Sequence, residues 1–107
     1  MVRAEFFKKK DIFVGFRVSG HAGFAEVGSD IVCSAVSSSV RMCCNGLVEI
    51  AKVEVEISVS EDVISLEVDL KVAEDLVVQV FLKALEFEIS LISRDYGKNV
   101  VLIKTEV

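Results

Sequence analysis

One histidine, His21, and three cysteines, Cys33, Cys43 and Cys44, stand out in this 107-residue chain as side chains able to do covalent chemistry. A thiolate is a strong nucleophile, and an imidazole can take the thiol proton and pass it to a leaving amine. His21 lies in a glycine-rich segment, Gly20-His21-Ala22-Gly23-Phe24-Ala25-Glu26-Val27-Gly28, and Cys33 follows in the predicted first turn of the next helix. A helix start offers free N–H groups and partial positive charge, which favour a thiolate and could bind an oxyanion. Asp30 stands three residues before Cys33, close enough on a helix for its carboxylate to orient the imidazole or cap the helix. Spacing alone leaves plain alternatives open. A cysteine on an apolar helix is commonly a small core residue, and a loop histidine is commonly just solvated. Cys43 and Cys44 fall deep in the same helix and read as packing, as does Ser37 one turn below Cys33.

No C-x-x-C pair occurs, so the spacing does not favour a zinc site, and no metal or cofactor is expected. The first ten residues hold no apolar run ending in small residues, and no apolar stretch is expected to reach the roughly 18 residues needed to span a bilayer. An odd number of thiols without a secretion signal argues for free cysteines, and the expected compartment is the cytoplasm. The net charge of −5 argues against a nucleic-acid backbone as the main partner. The one basic run, Lys8 to Lys10, reads as a turn between strands. With 52% hydrophobic residues in a short chain, surfaces buried on more than one side or a subunit interface are expected.

The elements that must position these residues follow from periodicity. Residues 2–9 read as a strand, and residues 12–19 alternate as a second, joined to the first by a hairpin. Residues 20–28, with three glycines, read as a mobile loop. Ser29 or Asp30 would cap a helix running to about residue 51, slim in its first half because Ser34, Ala35, Ser37, Ser38 and Ser39 are small. Gly46 interrupts it. Residues 52–59 and 62–71 alternate strictly around Ser60-Glu61-Asp62, a second hairpin. A second helix covers about residues 73–94. Its polar face is assigned Asp75, Gln79, Lys83, Glu86 and Ser90, and its apolar face Val77, Val80, Phe81, Ala84 and Leu91. Residues 96–99 form a turn and residues 100–107 a last strand. The predicted fold is a single α+β domain in the order ββαββαβ. About five strands form a mainly antiparallel sheet, with two helices on its apolar face. The two ββα units hint at duplication.

Gly20-His21-Ala22, followed by Gly28-x-Asp30-Ile31-Val32-Cys33-Ser34-Ala35-Val36-Ser37 and by Asn45-Gly46-Leu47, resembles the signature of the bacterial ribosomal-processing cysteine protease family, Prp. The element order is similar over essentially the whole chain. The resemblance implies a Cys/His endopeptidase that removes a short N-terminal extension from large-subunit ribosomal protein number twenty-seven. It implies His21 as base, Cys33 as nucleophile, an acidic supporting position at Asp30, and a homodimer. A substrate-gating loop containing Gly20, Gly23 and Gly28 would close over the peptide, beside an apolar cleft. The rival from another class is a non-catalytic dimeric module that binds a ribosomal or assembly protein.

Overall fold

The computed structural model of the chain describes the backbone of residues 1–20 and 27–107, and the side chains of all of these except residues 27–30. Strand β1 (Val2–Lys9) turns at Lys10 and Asp11 into β2 (Ile12–Ser19), so the basic run does serve a hairpin. Helix α1 (Val27–Asn45) is followed by a wider turn, Gly46–Ile50. There the Ala51 N–H donates to the Gly46 carbonyl at 2.8 Å, five residues back. Strands β3 (Glu56–Val59) and β4 (Val63–Glu67) form the second hairpin. A single-turn helix α2 (Leu70–Ala73), helix α3 (Leu76–Asp95) and strand β5 (Val100–Glu106) complete the order.

The sheet order is β3-β4-β2-β1-β5. All neighbours are antiparallel except β1 and β5, which run parallel in the register Val2↔Val100 and Ala4↔Leu102. Connectivity explains the exception. Helix α3 returns the chain across the sheet, so β5 repeats the direction of β4 and therefore of β1. Pairing lines up apolar side chains across one face, as in Ile57–Leu66–Phe16–Phe6 and Val59–Ile64–Val18–Ala4. Phe6, Phe16 and Leu66 are fully buried, each stabilising the fold by about 1.5–3 kcal/mol.

Both long helices cover this face. From α1 come Val32, Val36, Val40, Cys43 and Cys44, and from α3 come Val78, Leu82, Leu85, Ile89 and Ile92. The buried row of α3 corrects the face predicted from its sequence: Val77 and Val80 are exposed, whereas Gln79 is buried. The helix carries apolar residues on most of its circumference, so periodicity alone does not select a side. The sheet selects the row that repeats at i, i+4, i+7, i+11 and i+14. Gln79 is accommodated because its side chain is fully used. Its Oε1 accepts from the Phe13 N–H at 2.9 Å, and its Nε2 donates to the carbonyls of Phe13 at 2.8 Å and Ala73 at 2.7 Å.

The second hairpin is shorter than its alternation suggests, because residues 52–55 and 68–69 are irregular. One expectation about apolar stretches is overturned. Ile31–Ile50, with a mean hydropathy of 1.4, is long and apolar enough by composition to cross a membrane. Its only charges are Arg41 and Glu49. In the fold its buried residues pack against the sheet and α3, as those of a core helix do.

Candidate active site

Helix α1 is the crossover from β2 to β3, so its two ends lie at opposite ends of the sheet. Its C-terminal end adjoins the start of β3, where the Val53 N–H donates to the Leu47 carbonyl at 2.9 Å. Its N-terminal half therefore lies toward the end of β2, the β3–β4 hairpin and Gly20. Gly20 holds φ +82°, a left-handed conformation that favours glycine, and its N–H donates to the Asp62 carbonyl at 3.1 Å.

Cys33 lies in the second turn of α1, not the first, because the helix already begins at Val27. Ser29 and Asp30 are thus helical residues, and Gly28 belongs to α1 rather than to the loop expected from the sequence. A glycine this close to a helix start loses only conformational entropy. The N–H groups left over at the helix start belong to the turn before Cys33. Helical side chains lean toward the N-terminus, so a residue at position 33 covers that turn. His21 and Gly23 lie outside the described residues, as does the side chain of Asp30. Bringing His21, Asp30 and Cys33 together remains a reading of the sequence.

The three thiols differ in surroundings. Cys33 is partly buried and packs against the edge of the core, whereas Cys43 and Cys44 are buried in it. Burial, with a smaller contribution from Cys44, pushes the Cys43 thiol up to about 12, and it donates to the Phe81 carbonyl at 3.6 Å. Burial also raises Cys44. Neither presents a ready thiolate. Among the described residues no group of three His, Cys, Asp or Glu side chains is placed to hold a metal ion.

Below Cys33, the flank of α1 opens onto a groove of ≈390 Å³ facing β3 and β4. Ser37, Arg41 and Cys44 line it from the flank that Cys33 heads, and Ile57, Val59 and Ile64 line it from the strands. The sequence did not identify these lining residues. The i+4 and i+8 spacing of Ser37 and Arg41 from Cys33 was the available signal, but the partner wall depends on tertiary packing. A larger concavity of ≈750 Å³ at the opposite end of the sheet is rimmed by Glu54, Glu56, Glu67 and Asp69, and among the described residues no cysteine or serine lines it. The groove, whose lining includes Ser37 one helical turn from Cys33, is the concavity nearer that thiol.

Comparison with known proteins decides the family. The model of the cysteine protease Prp family matches residues 1–101, a span that includes His21, Asp30 and Cys33. The chain belongs to the Prp family of cysteine proteases. The ribosomal processing cysteine protease Prp of Bacillus subtilis (strain 168) is 30% identical over 94 residues, covering 80% of either chain. A solved structure from Streptococcus mutans superposes with a TM-score of 0.92 at 26% identity, over 100% of this chain and 96% of that one. The essential ribosomal processing protease Prp of Staphylococcus aureus, solved with a covalently linked product peptide, superposes with a TM-score of 0.87 at 18% identity, over 98% of this chain and 100% of that one. At that identity the Staphylococcus likeness speaks for the fold, which here is the α+β Prp fold. Membership makes this chain one of the ribosomal processing cysteine proteases, a family of hydrolases.

Proposed function

We propose that the chain is an endopeptidase that removes a short N-terminal extension from large-subunit ribosomal protein number twenty-seven during ribosome maturation, with Cys33 as nucleophile and His21 as base. The observation that carries the reading is the combination of the Prp match with the place of Cys33. It is the one cysteine outside the core, and it heads the flank of α1 that borders the groove.

His21 takes the proton of the Cys33 thiol, and the thiolate adds to the scissile carbonyl carbon. The tetrahedral intermediate collapses to a thioester. The C–N bond breaks, and His21 returns the proton to the leaving amine. Water activated by the same imidazole then adds to the thioester, releasing the acyl peptide as a carboxylic acid and restoring the thiol. Asp30, in the turn before Cys33, supports the imidazole. No cofactor enters this scheme.

The enzyme would act in the cytoplasm as a homodimer, without direct nucleic-acid contact. The exposed Leu76, Val77, Val80 and Phe87 of α3 are apolar surface that such pairing could cover. Incubating the purified chain with the N-terminally extended ribosomal protein, followed by mass spectrometry, tests the activity. Shortening by the intact enzyme and none by Cys33→Ala or His21→Ala is expected. An unshortened substrate rejects the assignment. Sedimentation showing only monomer at micromolar concentrations and above rejects the dimer.

A further inference from the structure

Peptide hydrolysis at Cys33 makes no use of the concavity of ≈750 Å³ at the far end of the sheet. We propose that this concavity docks a lysine- or arginine-rich segment of the ribosomal protein substrate, about eight or more residues from the cut. The inference rests on the proposed function and deepens it. The enzyme would hold the body of its substrate as well as the bond it cleaves.

The two long helices cover the sheet face that carries Phe6, Phe16 and Leu66. Among the described residues, no helix covers the opposite face. Alternation places Glu56, Glu67, Gly15 and Phe7 in one row across that open face. Glu56 stands directly opposite Glu67, Glu67 opposite Gly15, and Gly15 opposite Phe7. All four line the concavity, with Glu54 and Asp69 beside them. Gly15 keeps the floor bare, because a Cβ there would overlap the Leu66 carbonyl oxygen.

Like charges directly opposite each other in an antiparallel pair repel, and nothing in the described structure offsets them here. Among the described residues, Glu54, Glu56, Glu67 and Asp69 form no ion pair, and no lysine or arginine lines the concavity. Asp69 immediately precedes α2, yet its side chain does not cap that helix. A cationic side chain laid over Gly15 supplies what the row lacks. Neighbouring strands lie about 4.8 Å apart, so Glu67 and Phe7 are about 10 Å apart. One extended lysine or arginine bridges that span, with its charged head between the Glu56 and Glu67 carboxylates and its stem against Phe7. The volume falls within the range of binding sites, about 300–1,000 Å³, and Val14, Val55 and Val72 offer apolar contact to further stems.

The substrate class fits this chemistry. A protein that binds RNA neutralises phosphates with lysine and arginine, and the net charge of −5 on this chain complements it. Strands β1 and β2 have eight residues each. At about 3.3 Å per residue, the two ends of the sheet are about 25 Å apart, which an extended chain crosses in about eight residues.

The test compares the N-terminally extended ribosomal protein with a short peptide that spans only the extension junction. Binding is measured by fluorescence anisotropy with Cys33→Ala protein, which does not turn over. Glu56→Gln/Glu67→Gln is expected to weaken binding of the extended protein roughly tenfold, and added salt to weaken it in the parent but less in the double variant. Binding of the short peptide should not change. The melting temperature should not fall, since the substitution removes an opposed pair of like charges. Methyl resonances of Val14, Val55 and Val72 should shift with the extended protein and not with the peptide. With Cys33 present, the double variant should raise KM for the extended protein by the same factor at unchanged kcat. Equal binding of the extended protein by parent and double variant, an equal loss for the short peptide, or no binding at all overturns the docking site. Carboxylate-dependent binding without cleavage by the intact enzyme removes the peptidase reading but keeps the docking site. Cleavage of the extended protein that the double variant leaves untouched does the reverse.

Discussion

In the N-terminal half of α1, small side chains leave Cys33 at the edge of the core, on a flank that opens onto a groove. In the C-terminal half, Cys43 and Cys44 are closed in by the core, with Leu47 and Phe81 packed close by. The residue type is the same, and the packing makes the difference. Ser34, Ser37 and Ser38 are exposed and keep the first half slim. At Gly46 the absence of a side chain lets the Phe81 ring come against the helix, and a Cβ there would overlap that ring. One helix thus offers an accessible thiol at one end and anchors the fold at the other. Which cysteine can react follows from burial, since burial penalises the thiolate.

The largest expected effect on this contrast is at the accessible end. Cys33→Ala should lower kcat by about a thousandfold or more, because the covalent route is lost, with the circular dichroism unchanged. Cys43→Ala should keep its activity in the same peptide-cleavage assay. Alkylation should separate the thiols next. At pH 8 Cys43, held near 12, is about 10⁻⁴ thiolate, so iodoacetamide followed by peptide mapping should label Cys33 first. If Cys33 is activated by His21, then His21→Ala slows that labelling. A rate indifferent to His21 would favour the non-catalytic binding module.

At the closed end, Gly46→Ala forces Phe81 to move. It should destabilise the fold by about 1–3 kcal/mol in urea unfolding, with little change in kcat for the folded fraction. Unchanged stability would mean that the contact is loose. The smallest effect concerns pH. The Cys43 thiol is raised from 9.0 to about 12. Its folded state therefore binds the proton more tightly than the unfolded state, and the stability this contributes is full below pH 9 and lost as pH rises toward 12. Thermal melts should decline over that interval, and less steeply in Cys43→Ala.

Much of this was legible in the sequence for physical reasons. The alternation in residues 12–19 and 62–67 has one apolar side, so both hairpins and the buried face could be read directly. The parallel β1–β5 pair was not, because antiparallel hairpins say nothing about where a strand after a long crossover will dock. The face of α3 was misread because the helix is apolar nearly all round, and Gln79 looked solvent-facing until Phe13 and Ala73 provided partners for its amide. At the site, Cys33 could be singled out by its position near a helix start after a histidine. The groove could not, because Ile57 and Val59 look like any alternating strand residues until the helix layer is seen to end before β3.

The central claim is that peptide is carried on the sulfur of Cys33. Rapid mixing of the enzyme with an extended ribosomal peptide, acid quenching within the first turnover, and mass spectrometry of the digested enzyme test it most directly. The account predicts an added acyl peptide on the fragment containing Cys33, labile to hydroxylamine as a thioester is, and absent in Cys33→Ala. An acyl group on any other residue, or cleavage that continues in Cys33→Ala, would contradict it.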